Sequence, residues 1–276
     1  QQAKILKSII PNKKSPRETP HTLIYKNKTL TDPTEIANAF NDHYITIGQK
    51  TSDSIPYTKP TENKPHKEKY PPFKLQHTTE KIVRETLKKI NPNKASDIYK
   101  IKPAIIKDLA TFLTPTLTLL YNRTIDEHEY PDSLKLTKLI ETYKAKQKEL
   151  PVNYRPISLL PIIAKTLDTI INNQLMSHLY KHDIISKTQY AFRSDSSTTL
   201  ALQTVTDKIL KQIHSRNPTL TIYIDLSKAY DTISHTKLIH KLQHEFSCTP
   251  ETTAYFKSYF KNRQQSTQHA QSTTQT

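Results

Sequence analysis

Apolar side chains recur at every third or fourth position in several stretches of this chain, a spacing that predicts amphipathic helices. The clearest example is 196–215, where hydroxyl residues precede a stripe formed by Leu202, Val205, Ile209 and Ile213. The other predicted helices cover 31–50, 79–90, 104–121 with a break at Pro115, 157–181 with an interruption at Pro161, 234–246 and 250–260.

Two stretches instead carry the β-branched, partly alternating pattern that is typical of strands. They are 135–145 and 219–225, and the second ends on Asp225. Helices and strands that are mixed along the chain in this way predict an α/β fold.

Three stretches lack a regular apolar pattern. Residues 1–30 are basic and contain scattered prolines, and residues 51–72 contain several more, so both are predicted to be linkers. The domain that spans 1–72 is therefore expected to be a linker with one helix. Residues 263–276 contain no large apolar side chain, so we expect a polar tail that cannot fold alone.

Composition narrows the classes of function. The 41 Lys and Arg residues exceed the 25 Asp and Glu residues, which gives a formal charge of +16 and predicts a nucleic-acid partner. General solubility or a charged tail is the alternative explanation of this charge. One cysteine excludes internal disulfides and Cys-based zinc clusters, and one glycine excludes glycine-rich phosphate loops. No apolar run is long enough for a membrane span, and the first residues predict a piece of a longer intracellular protein.

Asp225 is the most informative single residue, because it stands at the end of a predicted apolar strand. A carboxylate in that position can project from a rigid sheet toward a bound Mg²⁺, which prefers oxygen ligands. An aspartate after a strand is also ordinary turn chemistry. The residues that follow Asp225 are needed to decide between a metal ligand and an ordinary turn residue.

Those neighbours carry a family resemblance. The segment that starts at Asp225 (DLSKAYDTI) resembles motif A of the reverse transcriptases of non-LTR retrotransposons, which include LINE-type and jockey-like elements. Residues 153–160 (NYRPISLL) resemble a block that precedes motif A in this family, and 189–193 (QYAFR) resembles the block between them. The three blocks occur in the family's order. The resemblance covers roughly 79–262, with a weaker similarity at 31–50.

The resemblance implies roles for five residues. Asp225 corresponds to the first metal-binding aspartate, which implies Mg²⁺ as the cofactor, with Mn²⁺ as the alternative ion. Tyr230 corresponds to the aromatic ring that excludes a ribose 2′-hydroxyl, and packing in the core is its other interpretation. Lys144 and Arg155 correspond to cations beside the triphosphate of the incoming dNTP, although solvated basic side chains would show the same pattern. Arg193 is expected to contact nucleic-acid backbone or template.

The resemblance also implies an architecture and a set of partners. The fold would be the fingers and part of the palm of a right-hand polymerase with a helical N-terminal extension. The extension and fingers would occupy 73–195 and the partial palm 196–262. An RNA template, a DNA primer and dNTPs would be the partners, in the nucleus and the cytoplasm as a ribonucleoprotein.

The chain departs from the family pattern in two ways. Asp97, Ala191 and Asp195 stand where the family has glycines, so we expect local backbone damage there. The family's later motifs, a Pro-Gln-Gly segment and paired aspartates, are not in this sequence, nor is a thumb. We therefore interpret the chain as a fragment that ends after motif A and is inactive without the C-terminal palm and thumb of the same polyprotein. The alternatives are a non-catalytic basic nucleic-acid-binding remnant and a decayed element with no stable product.

Overall fold

The computed structural model describes residues 20–53, 70–226, 229–230, 232–269 and 272–273. The helices are α1 (Pro33–Asp53), α2 (Glu80–Lys88), α3 (Pro103–Asp108), α4 (Ala110–Asp126), α5 (Ile162–Lys181), α6 (Thr198–His214), α7 (His235–His244) and α8 (Pro250–Phe260). The strands are β1 (Leu23–Tyr25), β2 (Lys28–Leu30), β3 (Leu136–Tyr143), β4 (Tyr154–Leu159), β5 (Gln264–His269) and β6 (Ser272–Thr273). The mixture of helices and strands confirms the predicted α/β class.

A short hairpin precedes the first helix. Strands β1 and β2 pair antiparallel, with Leu23 opposite Leu30, and the fully buried Leu23 packs against Ile36 and Phe40 of α1. The linker predicted for 1–30 is therefore wrong for residues 23–30, whereas residues 1–19 lie outside the described residues. Most of the second predicted linker, 54–69, also lies outside them.

A four-stranded sheet in the order β4-β3-β5-β6 forms the second part of the fold. Strands β3 and β4 are an antiparallel hairpin, and β5 runs parallel to β3 on the other side, with Leu136 opposite Gln264. The polar tail predicted for 263–276 thus contains two strands of this sheet, β5 and β6. Ser266 and Thr267 are completely buried there, because β3 supplies the hydrogen-bond partners that a polar strand needs.

The β3–β4 hairpin packs on α1 through only one of its faces. The side chains of Leu139, Glu141 and Tyr154 are buried on that face, and the rings of Phe40 and Tyr154 meet edge-on with centroids 5.1 Å apart. Ile157 on the opposite face is half-exposed. One face of the hairpin is therefore anchored and the other is open.

Residues 219–225 do not form the predicted strand. Their backbone is irregular, and Leu220, Ile222 and Ile224 are exposed over 73–85% of their surface. A strand exists only where a neighbouring strand accepts and donates its backbone hydrogen bonds. Within the described residues, the sheet consists of β4, β3, β5 and β6, and this segment pairs with none of them.

The helices agree with the sequence patterns except near two prolines. The break predicted at Pro115 lies at Leu109 instead, and α4 continues through Pro115 because its buried residues on both sides hold it against the core. The segment predicted as a helix from 157 begins as strand β4, and the helix starts only after Pro161. The helices predicted at 31–50, 79–90, 196–215, 234–246 and 250–260 are confirmed.

The main hydrophobic core is helical and is crossed by an extended segment, residues 73–78, which we call the strap. Phe73 and Leu75 of the strap are buried in a core shared by α2, α4, α5 and α8. The N–H of Phe73 donates to the carbonyl of Ser247 over 2.7 Å, and its own carbonyl accepts from Thr249 over 2.9 Å. The strap therefore joins the loop between α7 and α8 to the other helices.

Two amide side chains hold the remaining strap backbone. Gln174 of α5 accepts from the N–H of Gln76 and donates to its carbonyl, both over 2.8 Å. Asn122 of α4 makes the same pair of bonds with Thr78, over 2.7 Å and 3.1 Å. Each amide acts as a substitute for a neighbouring strand.

Replacing Gln174 by Ala should lower the free energy of unfolding by about 1–3 kcal/mol, because it removes both hydrogen bonds to Gln76. The measurement is chemical denaturation of both proteins. Asn173→Ala is the matched control, since Asn173 is an exposed amide on the same helix. Equal effects of the two substitutions would show that the strap bonds contribute nothing.

Burial raises the pKa of Glu141 from 4.5 to about 7. The folded state then holds this proton more tightly than the unfolded chain does. Its contribution is complete below pH 4.5 and is lost as the pH rises through 7, on the order of 3 kcal/mol. Glu141→Gln should remove this part of the slope of unfolding free energy against pH, whereas Glu85→Gln on the exposed surface of α2 should not. A slope that persists in Glu141→Gln would refute the assignment.

Candidate nucleotide and nucleic-acid site

The open face of the β3–β4 hairpin carries Lys144 and Arg155. Arg155 lies in β4 directly opposite Thr142 of β3, and Lys144 comes two residues after Thr142. Opposite residues of an antiparallel pair project to one face, as do alternate residues along a strand. Lys144 and Arg155 therefore project to the same face, and both are exposed.

The turn that links the two strands is held by its own hydrogen bonds. The N–H of Lys144 donates to the carbonyl of Asn153 over 2.9 Å. The amide of Asn153 donates to the carbonyl of Gln147 over 2.7 Å, and the hydroxyl of Tyr154 donates to that of Lys148 over 2.8 Å. These bonds fix the backbone from which the two cations project.

Asp225 and Tyr230 both lie on the exposed stretch before α7. Tyr230 is 73% exposed, and its ring meets that of Phe192 edge-on, with centroids 6.5 Å apart. The structure therefore brings the 189–193 block next to motif A. Ser227, Lys228 and Asp231 of motif A lie outside the described residues.

Arg193 is engaged by groups of the protein itself. Its guanidinium donates to both carboxylate oxygens of Asp195, each over 3.3 Å, and to the carbonyl of Ser186. It also lies 5.3 Å from the ring centroid of Tyr180. These contacts order the loop before α6, and a role of Arg193 in nucleic-acid binding stays a prediction.

The expected backbone damage at the replaced glycines is not present. Asp97, Ala191 and Asp195 do not have positive φ angles, so their backbones do not require glycine. The left-handed residues in these blocks are Lys100, with φ of 60°, and Phe192, with φ of 61°. A phenylalanine that is both left-handed and 80% exposed is uncommon and points to a functional surface.

Asp97 has a structural role that the sequence did not reveal. One carboxylate oxygen accepts from the N–H groups of Tyr99 and Ile101, and the other accepts from the N–H of Ile162 over 3.1 Å. Ile162 is the first residue of α5, where a negative charge is favourable. Asp97 therefore fixes the start of α5, the helix that follows β4. The only sign of this role in the sequence is a single acidic residue in a polar stretch.

A second buried network joins α5, α8 and the start of β5. Asp168 accepts from the hydroxyl of Tyr130 over 2.9 Å and from that of Tyr259 over 3.5 Å, and burial raises the pKa of this carboxyl. Arg263 stacks on Tyr259 at 3.9 Å from the ring centroid and donates to its carbonyl. Arg263 immediately precedes β5, so the network positions that strand beside β3.

The structure brings together only two of the five predicted site residues, and Arg193 is bound to Asp195 instead. Lys144 lies with Arg155, and Tyr230 lies with Phe192, whereas Asp225 stands apart on an irregular backbone. Among the described residues, no three His, Cys, Asp or Glu side chains are close enough to hold a metal ion. The residues that are described thus do not fit a complete two-ion site, and Asp225 could supply only one of its ligands.

No helix among the described residues combines the length and the apolar character needed to cross a bilayer.

Comparison with known proteins gives a family match for part of the chain. Residues 144–276 match the family of reverse transcriptases (RNA-dependent DNA polymerases). The chain is 29% identical over 185 residues, or 67% of its length, to the probable RNA-directed DNA polymerase from transposon BS of Drosophila melanogaster, of which it covers 20%. It is 29% identical over 62% of its length to the probable RNA-directed DNA polymerase from transposon X-element of Drosophila melanogaster, of which it covers 18%.

A third relative is the RNA-directed DNA polymerase from mobile element jockey of Drosophila funebris. It is 26% identical over 66% of this chain, and the chain covers 20% of it. The chain therefore spans about a fifth of the length of the curated relatives that it matches.

Proposed function

We propose that this chain is part of an RNA-directed DNA polymerase of a non-LTR retrotransposon, because residues 144–276 match the reverse transcriptase family. The whole enzyme would add dNTPs to a primer 3′-hydroxyl on an RNA template. The observation that supports this most directly is the open hairpin face that presents Lys144 and Arg155 together. Residues 73–195 would be the N-terminal extension and fingers, and 196–262 the first part of the palm.

The hairpin cations suit the triphosphate of an incoming dNTP. Phosphoryl transfer spreads negative charge over the phosphate oxygens, and fixed cations stabilise that charge without reorganising. An arginine can also bind two phosphate oxygens through its planar fork. Because the opposite face of the hairpin is anchored on α1, the two cations are held on a rigid support.

Mg²⁺, or Mn²⁺ in its place, would neutralise the phosphates in the complete enzyme. Asp225 is proposed as one ligand of that ion. The described residues supply no complete site, so the reaction is assigned to the longer protein and not to this chain alone. We accordingly propose that this chain does not extend a primer by itself and needs the C-terminal palm and thumb of the same polyprotein.

The remaining partners follow from charge and family. A formal charge of +16 favours binding to RNA and to the primer–template duplex, and Arg193 is proposed to contribute at the loop before α6. The protein would act inside the cell as a ribonucleoprotein, in the nucleus and the cytoplasm. A non-catalytic, basic nucleic-acid-binding remnant is the alternative, and it requires the same charge but no dNTP site.

Binding of dTTP distinguishes these two proposals. The variant Lys144→Ala/Arg155→Ala should weaken Mg²⁺–dTTP binding on the order of 100- to 10,000-fold, since each of the two charge-assisted contacts contributes roughly 1.5–3 kcal/mol. Calorimetric titration of the purified chain is the measurement. Lys81→Ala/Lys88→Ala removes the same charge from exposed positions on α2 and should have little effect.

The same proteins are then titrated with single-stranded RNA at several salt concentrations. Both proposals expect log K to fall steeply with log[salt]. If the chain binds RNA but not dTTP, the non-catalytic remnant is favoured and the dNTP site is refuted. The same conclusion follows if Lys81→Ala/Lys88→Ala weakens dTTP binding as much as Lys144→Ala/Arg155→Ala does.

Tyr230 is proposed to select deoxyribonucleotides. In a protein extended to the full length of its relatives, Tyr230→Ala should raise ribonucleotide incorporation relative to deoxyribonucleotide incorporation about 10-fold or more, because a methyl group leaves room for the 2′-hydroxyl. Primer extension with each substrate is the measurement, and Tyr99→Ala, another surface tyrosine, is the control. If Tyr230→Ala lowers both rates equally, the ring is a packing residue.

A further inference from the structure

Two pairs of histidines, each four positions apart, lie outside the proposed polymerase site. His178 is in the last turn of α5 and His182 directly follows that helix, whereas His240 and His244 are both in α7. Side chains four positions apart on a helix are neighbours on one face. The ring centroids are 4.8 Å apart in the first pair and 4.3 Å apart in the second. Each pair is therefore a candidate for binding one ion through two imidazoles.

The separation of the rings favours the pair on α5. A zinc ion binds an imidazole nitrogen at about 2.0–2.1 Å, so two rings at roughly 90–110° around it have centroids about 4.5–5 Å apart. The separation of His178 and His182 lies within this range, and that of His240 and His244 lies below it. The α5 pair therefore needs only small ring rotations to hold an ion.

The chemical state of His178 also suits a metal ligand. Its Nε2 atom is buried and has no hydrogen-bond partner among the described residues. Burial and the neighbouring His182 lower the pKa of His178, so its ring is neutral at pH 7. A neutral imidazole has one nitrogen with a lone pair, and buried polar atoms are normally satisfied by a partner. A bound ion would satisfy this nitrogen.

The surroundings of the α5 pair restrain both residues. The N–H of His182 donates to the carbonyl of His178 over 3.2 Å, which keeps the helical spacing to the end of the pair. The ring of His178 packs against that of Phe73 in the strap, with centroids 5.0 Å apart. His240 and His244, in contrast, are both exposed, so their rings lose more freedom when an ion binds.

We propose that His178 and His182 bind one divalent ion of the zinc, nickel or copper class, with water in its remaining positions. Imidazole suits these ions, whereas Mg²⁺ prefers oxygen ligands. The pair lies at the C-terminal end of α5, where the helix dipole favours a positive charge. No third His, Cys, Asp or Glu side chain among the described residues completes the set, so the site keeps open positions.

The proposed metal site does not rest on the polymerase assignment, because it uses neither the hairpin cations nor Asp225. The two sites also differ in the ion that they prefer. A chain that binds zinc but no dTTP would leave this inference intact and remove only the proposed function. A chain that binds dTTP but no zinc at His178 would remove only this inference.

Calorimetric titration of the untagged full chain with ZnCl₂ tests the site. His178→Ala and His182→Ala should each weaken this binding roughly 10-fold or more, since each removes one of two ligands. His240→Ala/His244→Ala is the matched control and should leave the affinity of this site unchanged. MgCl₂ should give no binding that depends on either histidine of the α5 pair. Thermal denaturation without metal checks that each variant folds.

Nuclear magnetic resonance of the chain with ¹⁵N-labelled histidine identifies the ligands directly. Zinc should shift the ring signals of His178 and His182 together, and His182→Ala should strongly reduce the shift of His178 at the same zinc concentration. This measurement holds even if His178→Ala does not fold, because His182→Ala removes only a half-buried ring at the helix end. Ring signals of His178 that zinc does not shift would overturn the proposal. So would zinc binding that only the α7 double variant removes, or an equal response to Mg²⁺.

Discussion

Access to a neighbouring backbone decides which segments of this protein become strands. A strand cannot satisfy its own N–H and carbonyl groups, so it forms only beside a partner. β5 is almost entirely polar, yet it is a strand because β3 offers a free edge and Arg263 places it there. Residues 219–225 have the stronger strand pattern but pair with no strand within the described residues, and they remain irregular. The strap obeys the same rule, with Gln174 and Asn122 acting as its neighbours.

This rule explains which parts of the fold the sequence could predict. Helices satisfy their backbone locally, so an apolar stripe and a capping residue were sufficient for α2, α7 and α8. Each of these helices begins after a Ser or Thr whose hydroxyl accepts an N–H of the first turn. Strand partners are chosen at a distance along the chain. The polar pattern of β5 and the irregular backbone before Asp225 therefore could not be predicted from local spacing.

Only part of the candidate site could be predicted from the sequence. Lys144 and Arg155 were identified through the family resemblance. The hairpin that brings them together was not predicted, because part of β4 was predicted as a helix. The groups that support the site were not visible in the sequence. Asp97 reaches Ile162 across 65 positions, and Tyr259 reaches Asp168 across 91. Nothing in the spacing of an isolated aspartate distinguishes such a buried acceptor from a solvated turn residue.

Because glycine is scarce in this chain, other residues adopt the left-handed backbone conformation that normally favours glycine. Helices commonly end on a left-handed glycine, but this chain has a single glycine. His128, Asp183 and Arg216 take that position after α4, α5 and α6, with φ of 52°, 50° and 55°. Each is followed by a residue whose N–H donates back into the last turn, as Glu129 does to Thr124 over 3.1 Å.

A side chain in the left-handed region costs about 1–2 kcal/mol relative to glycine. The three helix ends nevertheless adopt the left-handed conformation, because carbonyls of the last turn would otherwise lack hydrogen-bond donors. Each unsatisfied carbonyl costs a similar amount of free energy. The same reasoning separates Phe192 from these residues, since it follows no helix and its left-handed backbone satisfies no helix end. Its conformation is explained better by the contact that its ring makes with Tyr230 than by the needs of the local backbone.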